Sequence, residues 1–140
     1  MLSSTLLILI FTSLSCKSSK DNPVITFQAT LNGMSEVPPN NSTSTGVATL
    51  TYDTVAKVFD IVVTYSGITP TASHIHKGAP GVAGGVVFGF TNPLTSPITY
   101  HSPVLTTVQQ NDLYTGQYYV NIHSSAYPDG EIRGQLIRKP

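Results

Sequence analysis

The sequence predicts an all-β protein, a single Greek-key β-sandwich or barrel. Three observations carry this expectation. Short runs rich in Val, Ile, Thr and Tyr alternate apolar and polar residues. Turn signals separate them, with 11 Gly and 10 Pro in 140 residues. From Val24 onward no long stretch shows a helical period. β-branched and aromatic runs of this length, bounded by Gly, Pro, Asn and Asp, are the signature of strands and turns. The length is that of one domain.

The elements follow in order. Residues 24–31 form a first strand, closed by the turn signal Asn32-Gly33. Val37-Pro38-Pro39-Asn40 and the Ser/Thr run to Thr45 read as loop. Residues 46–52 are a second strand, and Asp53-Thr54 turns into a third over 58–65, where Phe59, Ile61, Val63 and Tyr65 share a face. Residues 73–76 are short and extended, 77–85 a Gly/Pro-rich loop, 86–90 a strand, and 98–105 a further strand. Residues 106–116 are the one helical stretch, with Thr106 or Thr107 as cap and Gly116 as stop. Residues 117–123 and 131–137 are strands around the turn signal Tyr127-Pro128-Asp129-Gly130.

Charge is sparse and balanced: seven Lys and Arg against seven Asp and Glu, 10% of the chain. No basic surplus or stripe is present, which argues against nucleic acid as a partner. Hydrophobic residues make up 40%, too many for a disordered chain.

At the N-terminus, Leu6-Leu7-Ile8-Leu9-Ile10-Phe11 is too short to span a bilayer and suits a signal-peptide core. The sole cysteine, Cys16, follows Thr12, Ser13 and Ser15, and has no intramolecular disulfide partner. This arrangement resembles a bacterial lipoprotein signal, which implies lipid attachment at Cys16. The expected organisation is a signal peptide over 1–15, an anchor cysteine and linker over 16–23, and a domain over 24–138. The protein is then exported and membrane-anchored, periplasmic or at the cell surface. An ordinary secretory signal with an incidental cysteine is the alternative.

The chemistry lies in three strand histidines. His74 and His76, at i and i+2, point to one side while Ile75 points to the other. In Tyr118-Tyr119-Val120-Asn121-Ile122-His123 the apolar residues Tyr118, Val120 and Ile122 oppose Tyr119, Asn121 and His123. In the last strand Ile132 and Leu136 oppose Glu131, Arg133 and Gln135. If these strands are neighbours, one outer polar surface collects His74, His76, His123, Tyr119, Asn121, Glu131 and Arg133. Two imidazoles on one strand face are a half-site for copper or zinc, and His123 would complete three ligands with an open position. The alternative is a polar face whose histidines bond their neighbours. Glu131 and Arg133 read as a surface ion pair or a pair fixing a loop. His101, in Tyr100-His101-Ser102-Pro103, reads as a surface residue. No nucleophile–base arrangement and no phosphate-cradling loop occurs.

Several blocks together resemble the chordin (CHRD) domain family: Leu31-Asn32-Gly33 with Glu36-Val37-Pro38-Pro39, Gly46-Val47-Ala48, Tyr65-Ser66-Gly67-Ile68, Ala72 to Gly81, Tyr118 to His123, and Gly130-Glu131-Ile132-Arg133-Gly134-Gln135-Leu136. The resemblance runs from Val24 to about Ile137. It implies a lone exported domain of the microbial kind, for which no activity follows. A fainter likeness is to the copper side of Cu/Zn superoxide dismutases, onto whose copper ligands His74, His76 and His123 would map, with Arg133 as the substrate-guiding arginine. The chain lacks the bridging histidine, the zinc loop and the disulfide of that family, so dismutase activity does not follow. Two readings therefore stand: a non-catalytic surface binding or structural module, and a metal-binding exported protein. Whether the three imidazoles converge separates them.

Overall fold

The computed structural model describes residues 23–140. The expected signal peptide, Cys16 and all of the linker but Pro23 lie outside the described residues. Nine strands and one short α-helix follow: β1 (Val24–Asn32), β2 (Thr45–Asp53), β3 (Val58–Ser66), β4 (Pro70–Lys77), β5 (Val86–Gly89), β6 (Ile98–His101), α1 (Thr107–Tyr114), β7 (Tyr118–Ser124), β8 (Ile132–Gln135) and β9 (Ile137–Arg138). The all-β expectation holds.

Alternation builds the strands. In β1 Phe27, Ala29 and Leu31 are buried, in β2 Ala48, Leu50 and Tyr52, and in β3 Phe59, Ile61 and Val63, with polar or exposed residues between them. Each buried Leu, Ile or Phe stabilises the fold by about 1.5–3 kcal/mol relative to leaving it exposed. β1, β2 and β3 form a meander whose full-length register runs from Val24↔Asp53 to Asn32↔Thr45 and from Thr45↔Ser66 to Asp53↔Val58.

The pairing is antiparallel, in the order β5-β4-β7-β8-β1-β2-β3-β6, with β9 added beside β1. The sheet therefore has two halves, β5-β4-β7-β8 and β1-β2-β3-β6, joined where Asn32 faces Arg133. Gly134 permits this junction, because a Cβ there would lie 2.5 Å from the Thr30 carbonyl oxygen. The sheet curls until its two outer edges meet through rings instead of a ladder. Phe88 of β5 packs edge-on to Phe59 at 5.2 Å, and Phe90 lies 5.3 Å from Tyr100 of β6. The helix closes one end, with Leu113 fully buried and Tyr114 edge-on to Tyr52 at 5.8 Å. Thr106 caps it through a reciprocal pair with Gln109.

Three elements differ from expectation. β4 is longer than residues 73–76, because β7 pairs with it from Pro70 to Lys77. The strand expected over 98–105 stops at His101. Ser102 turns inward, donating its amide to Phe59 O (2.9 Å) and accepting the Phe59 amide on its hydroxyl (2.8 Å), and Pro103 has no N–H to continue a ladder. The strand expected over 131–137 breaks at Leu136. There the chain leaves β7 after the Leu136 amide bonds Tyr118 O, and Ile137 pairs with Gln28 of β1.

Candidate functional site

β4 and β7 place the histidines. Their register sets His76 beside Tyr119, His74 beside Asn121 and Ala72 beside His123. Ile75 and Val120 face the core and are fully buried, so His74, His76, Tyr119, Asn121 and His123 project from the opposite face. β8 continues this face, with Arg133 beside Asn121 and Gln135 beside Tyr119.

The three imidazoles converge. One ligating nitrogen from each of His74, His76 and His123 lies within 4.8 Å of the others. His74 Nδ1 and His123 Nε2 are 3.3 Å apart, close to the edge of a tetrahedron with metal–nitrogen bonds of about 2.0–2.1 Å. The ring centroids are 5.1 Å (His74–His123), 5.4 Å (His74–His76) and 6.1 Å (His76–His123) apart.

Backbone carbonyls fix two of the rings. His76 Nδ1 lies 2.9 Å from Gly84 O, and His123 Nδ1 lies 2.9 Å from Pro128 O. A carbonyl only accepts, so each Nδ1 carries a proton and, in the neutral rings, each Nε2 presents a lone pair; His74 Nδ1–H then donates to His123 Nε2 at 3.3 Å, a proton that an ion ligated by His74 Nδ1 would displace. His76 Nε2 is buried and has no hydrogen-bond partner. Burial, then the neighbouring His123 and His76, lowers the pKa of His74. Burial also lowers that of His76, against the Gly84 hydrogen bond that raises it, and with His123 and Arg133 adding to the decrease. Both shifts favour the neutral, ligating form.

The loop over residues 78–85 holds the arrangement. Gly84 N–H donates to the Tyr119 hydroxyl at 3.0 Å. A Cβ at Gly84 would sit 1.6 Å from Lys77 O, so only glycine brings this carbonyl to His76. The Tyr119 ring stacks on His76 at 5.0 Å and 8°. The Arg133 guanidinium lies 3.4 Å from the Tyr119 ring centre, a cation–π contact. Arg133 Nη2 also donates to the loop carbonyls of Ala79 (3.2 Å) and Val82 (3.0 Å).

Two expectations are corrected. The outer polar surface is covered: Tyr119, Asn121, Glu131 and Arg133 are each less than 9% exposed, and the histidines are half-buried. The loop over 78–85 and the segment over 33–44 lie across this face and bond to it. Nor do Glu131 and Arg133 pair. Glu131 accepts from the hydroxyls of Ser42 and Ser44, each at 2.7 Å. Burial raises its pKa, but hydrogen bonds from Ser124, Ser44 and Ser42 outweigh this and leave it below the ordinary value. Arg133 is instead the cation nearest in effect to Glu36, whose buried carboxylate accepts from Asn121 Nδ2 at 3.0 and 3.2 Å. His101 is exposed as expected, though on a strand, where it meets Asp60 at 2.8 Å.

The order and span of these residues match a known profile. The CHRD domain profile covers residues 27–136. The chain belongs to the CHRD domain family. No curated protein and no solved structure matches it.

Sequence reasoning missed Glu36 as a functional candidate of this CHRD domain. No local signal marked it: its partners Asn121 and Arg133 are distant in sequence. Glu36 and Arg133 line a groove of about 420 Å³ walled by Met34, Val37, Pro39 and Pro80; the histidines do not line it. Burial pushes the Glu36 pKa from 4.5 up to about 7, against the opposing effects of Arg133, the Val37 amide and Asn121. Between about pH 4.5 and 7 the folded state therefore holds a proton that the unfolded state has lost, and this proton's contribution to stability falls as pH rises through that window. Urea denaturation of wild type and Glu36→Gln should show the wild type losing stability relative to the variant from pH 5 to pH 7.5. A difference that does not change with pH would contradict the buried carboxyl.

Proposed function

We propose that this CHRD domain is an exported, non-catalytic metal-binding protein, anchored by a lipid on Cys16. It takes copper or zinc on His74 Nδ1, His76 Nε2 and His123 Nε2. The observation that carries the reading is the convergence of three imidazole nitrogens, no more than 4.8 Å apart, with the tautomers of His76 and His123 set by carbonyls.

The donor set supports a late first-row ion. Imidazoles without thiolate suit copper and zinc, and three protein ligands leave a fourth position for water or another ligand. Fixing the outer ring nitrogen by a carbonyl is how metal-ligating histidines are commonly oriented. The 3.3 Å pair already has bonding separation, and all three nitrogens lie within 4.8 Å of one another. The unpartnered His76 Nε2 favours this over a purely structural polar layer, because a buried polar atom without a partner costs about 1–3 kcal/mol and an ion there would satisfy it.

The export half rests on the apolar run ahead of Cys16 and the linker-like residues after it. Radiolabelled lipid should enter the wild type and not Cys16→Ala when each is expressed in a lipoprotein-processing bacterium. No label in the wild type refutes the anchor.

Copper titration of wild type against His76→Ala tests the metal half. The variant should bind at least tenfold more weakly, with His74→Ala and His123→Ala alike, since each removes one of three ligands. Equal affinity in wild type and His76→Ala rejects the site.

A further inference from the structure

The cations of this chain are unevenly placed. Of its seven Lys and Arg, two are engaged in the fold. Arg133 is buried against Tyr119 and the loop carbonyls, and Lys77 Nζ lies 2.8 Å from Asp112. The other five are Lys17, Lys20, Lys57, Arg138 and Lys139. Lys17 and Lys20 precede β1 in the segment that leads to Cys16.

Lys57, Arg138 and Lys139 are exposed, and all three lie at the end of the sheet where β1 begins. Val24 faces Asp53, and the Thr54 amide donates to Pro23 O at 2.7 Å. Lys57 follows in the same β2–β3 turn, with its amide on Asp53 O at 2.8 Å. Arg138 is registered with Phe27, and the Lys139 amide donates to Thr26 O at 2.9 Å. A shallow hollow lined by Val24, Thr26, Thr54, Arg138 and Lys139 marks this end. Two carboxylates share this end and keep their charge: Asp53, whose Oδ1 accepts the amides of Val55 and Ala56 at 2.8 Å each, and Asp60, which meets His101.

The histidines occupy the other end. Asn121 beside His74 is registered with Arg133, and Arg133 with Asn32, the last residue of β1. A nine-residue strand, the length of β1, separates its ends by about 27 Å.

We propose that the Val24 end of the domain is a docking face for an anionic lipid surface, with Lys57, Arg138 and Lys139 against the phosphate-bearing headgroups. The chain between Cys16 and Val24 reaches at most about 30 Å when extended, while the field of an anionic surface fades within about 8 Å at physiological salt. A tether alone therefore leaves the domain free to tumble, and the basic end holds it upright. The histidine cluster then faces the aqueous side, where an ion can reach it. The inference rests on charge placement and on the proposed anchor at Cys16, and stands apart from the metal reading.

The test uses the full chain carrying Cys16→Ser, so that no acyl group contributes. Its sedimentation with vesicles of phosphatidylcholine plus phosphatidylglycerol is compared with phosphatidylcholine alone, at low and high salt. The same is done for Lys57→Gln/Arg138→Gln/Lys139→Gln, with far-UV circular dichroism to check its fold. The N-terminal apolar run contributes equally to both proteins. At about 1 kcal/mol per basic residue near such a surface, the triple variant should bind anionic vesicles on the order of a hundredfold more weakly at low salt. High salt should erase the difference. Equal binding of a folded triple variant, no preference of the parent for anionic vesicles, or stronger binding of the parent to duplex DNA than to vesicles would each overturn the proposal.

Discussion

The structure depends on one constraint: the two-residue period of β4 and β7, locked in antiparallel register. Ile75 and Val120 must face the core. Their neighbours His74, His76, Tyr119, Asn121 and His123 are then forced onto the reverse face together. A one-residue slip would put the histidines into the core and the apolar residues outside. The packing of the curled sheet thus holds the polar cluster in place, and the cluster needs no ladder of its own.

That reverse face is a second interior. The loop over 78–85 and the segment over 33–44 cover it, each through backbone carbonyls or small polar side chains. Gly84 O holds His76, Pro128 O holds His123, and Ala79 and Val82 carbonyls hold Arg133. The stack of His76, Tyr119 and Arg133 runs across β4, β7 and β8. Buried polar groups in such a network are held in single geometries. Here that leaves a half-buried tripod of imidazoles at one end of the domain, and exposed cations at the other.

Much of this was legible in the sequence. Alternation identified the strands, their inward faces and the shared side of His74, His76 and His123, because period two is a local property. The helix was legible from Thr106 or Thr107 as cap and Gly116 as stop. The covering of the polar face was not. It comes from contacts between distant segments, such as Asn40 with Gly130 and Glu131, about which local pattern is silent. For the same reason Glu36 stood out only once Asn121 and Arg133 were placed beside it, and Glu131 left its expected partner Arg133 for Ser42 and Ser44. Partner switching at Leu136 was equally invisible, since both half-strands satisfy one apolar alternation.

The central claim is that the fold presets three imidazole nitrogens for an ion. Nitrogen-15 NMR of the imidazole rings tests it directly, in the metal-free chain and after zinc is added. The account predicts Nδ1–H tautomers for His76 and His123 in the metal-free chain, then zinc-induced shifts at their Nε2 atoms and at His74 Nδ1. Nε2–H tautomers for His76 and His123, or no ring shift at saturating zinc, would contradict it.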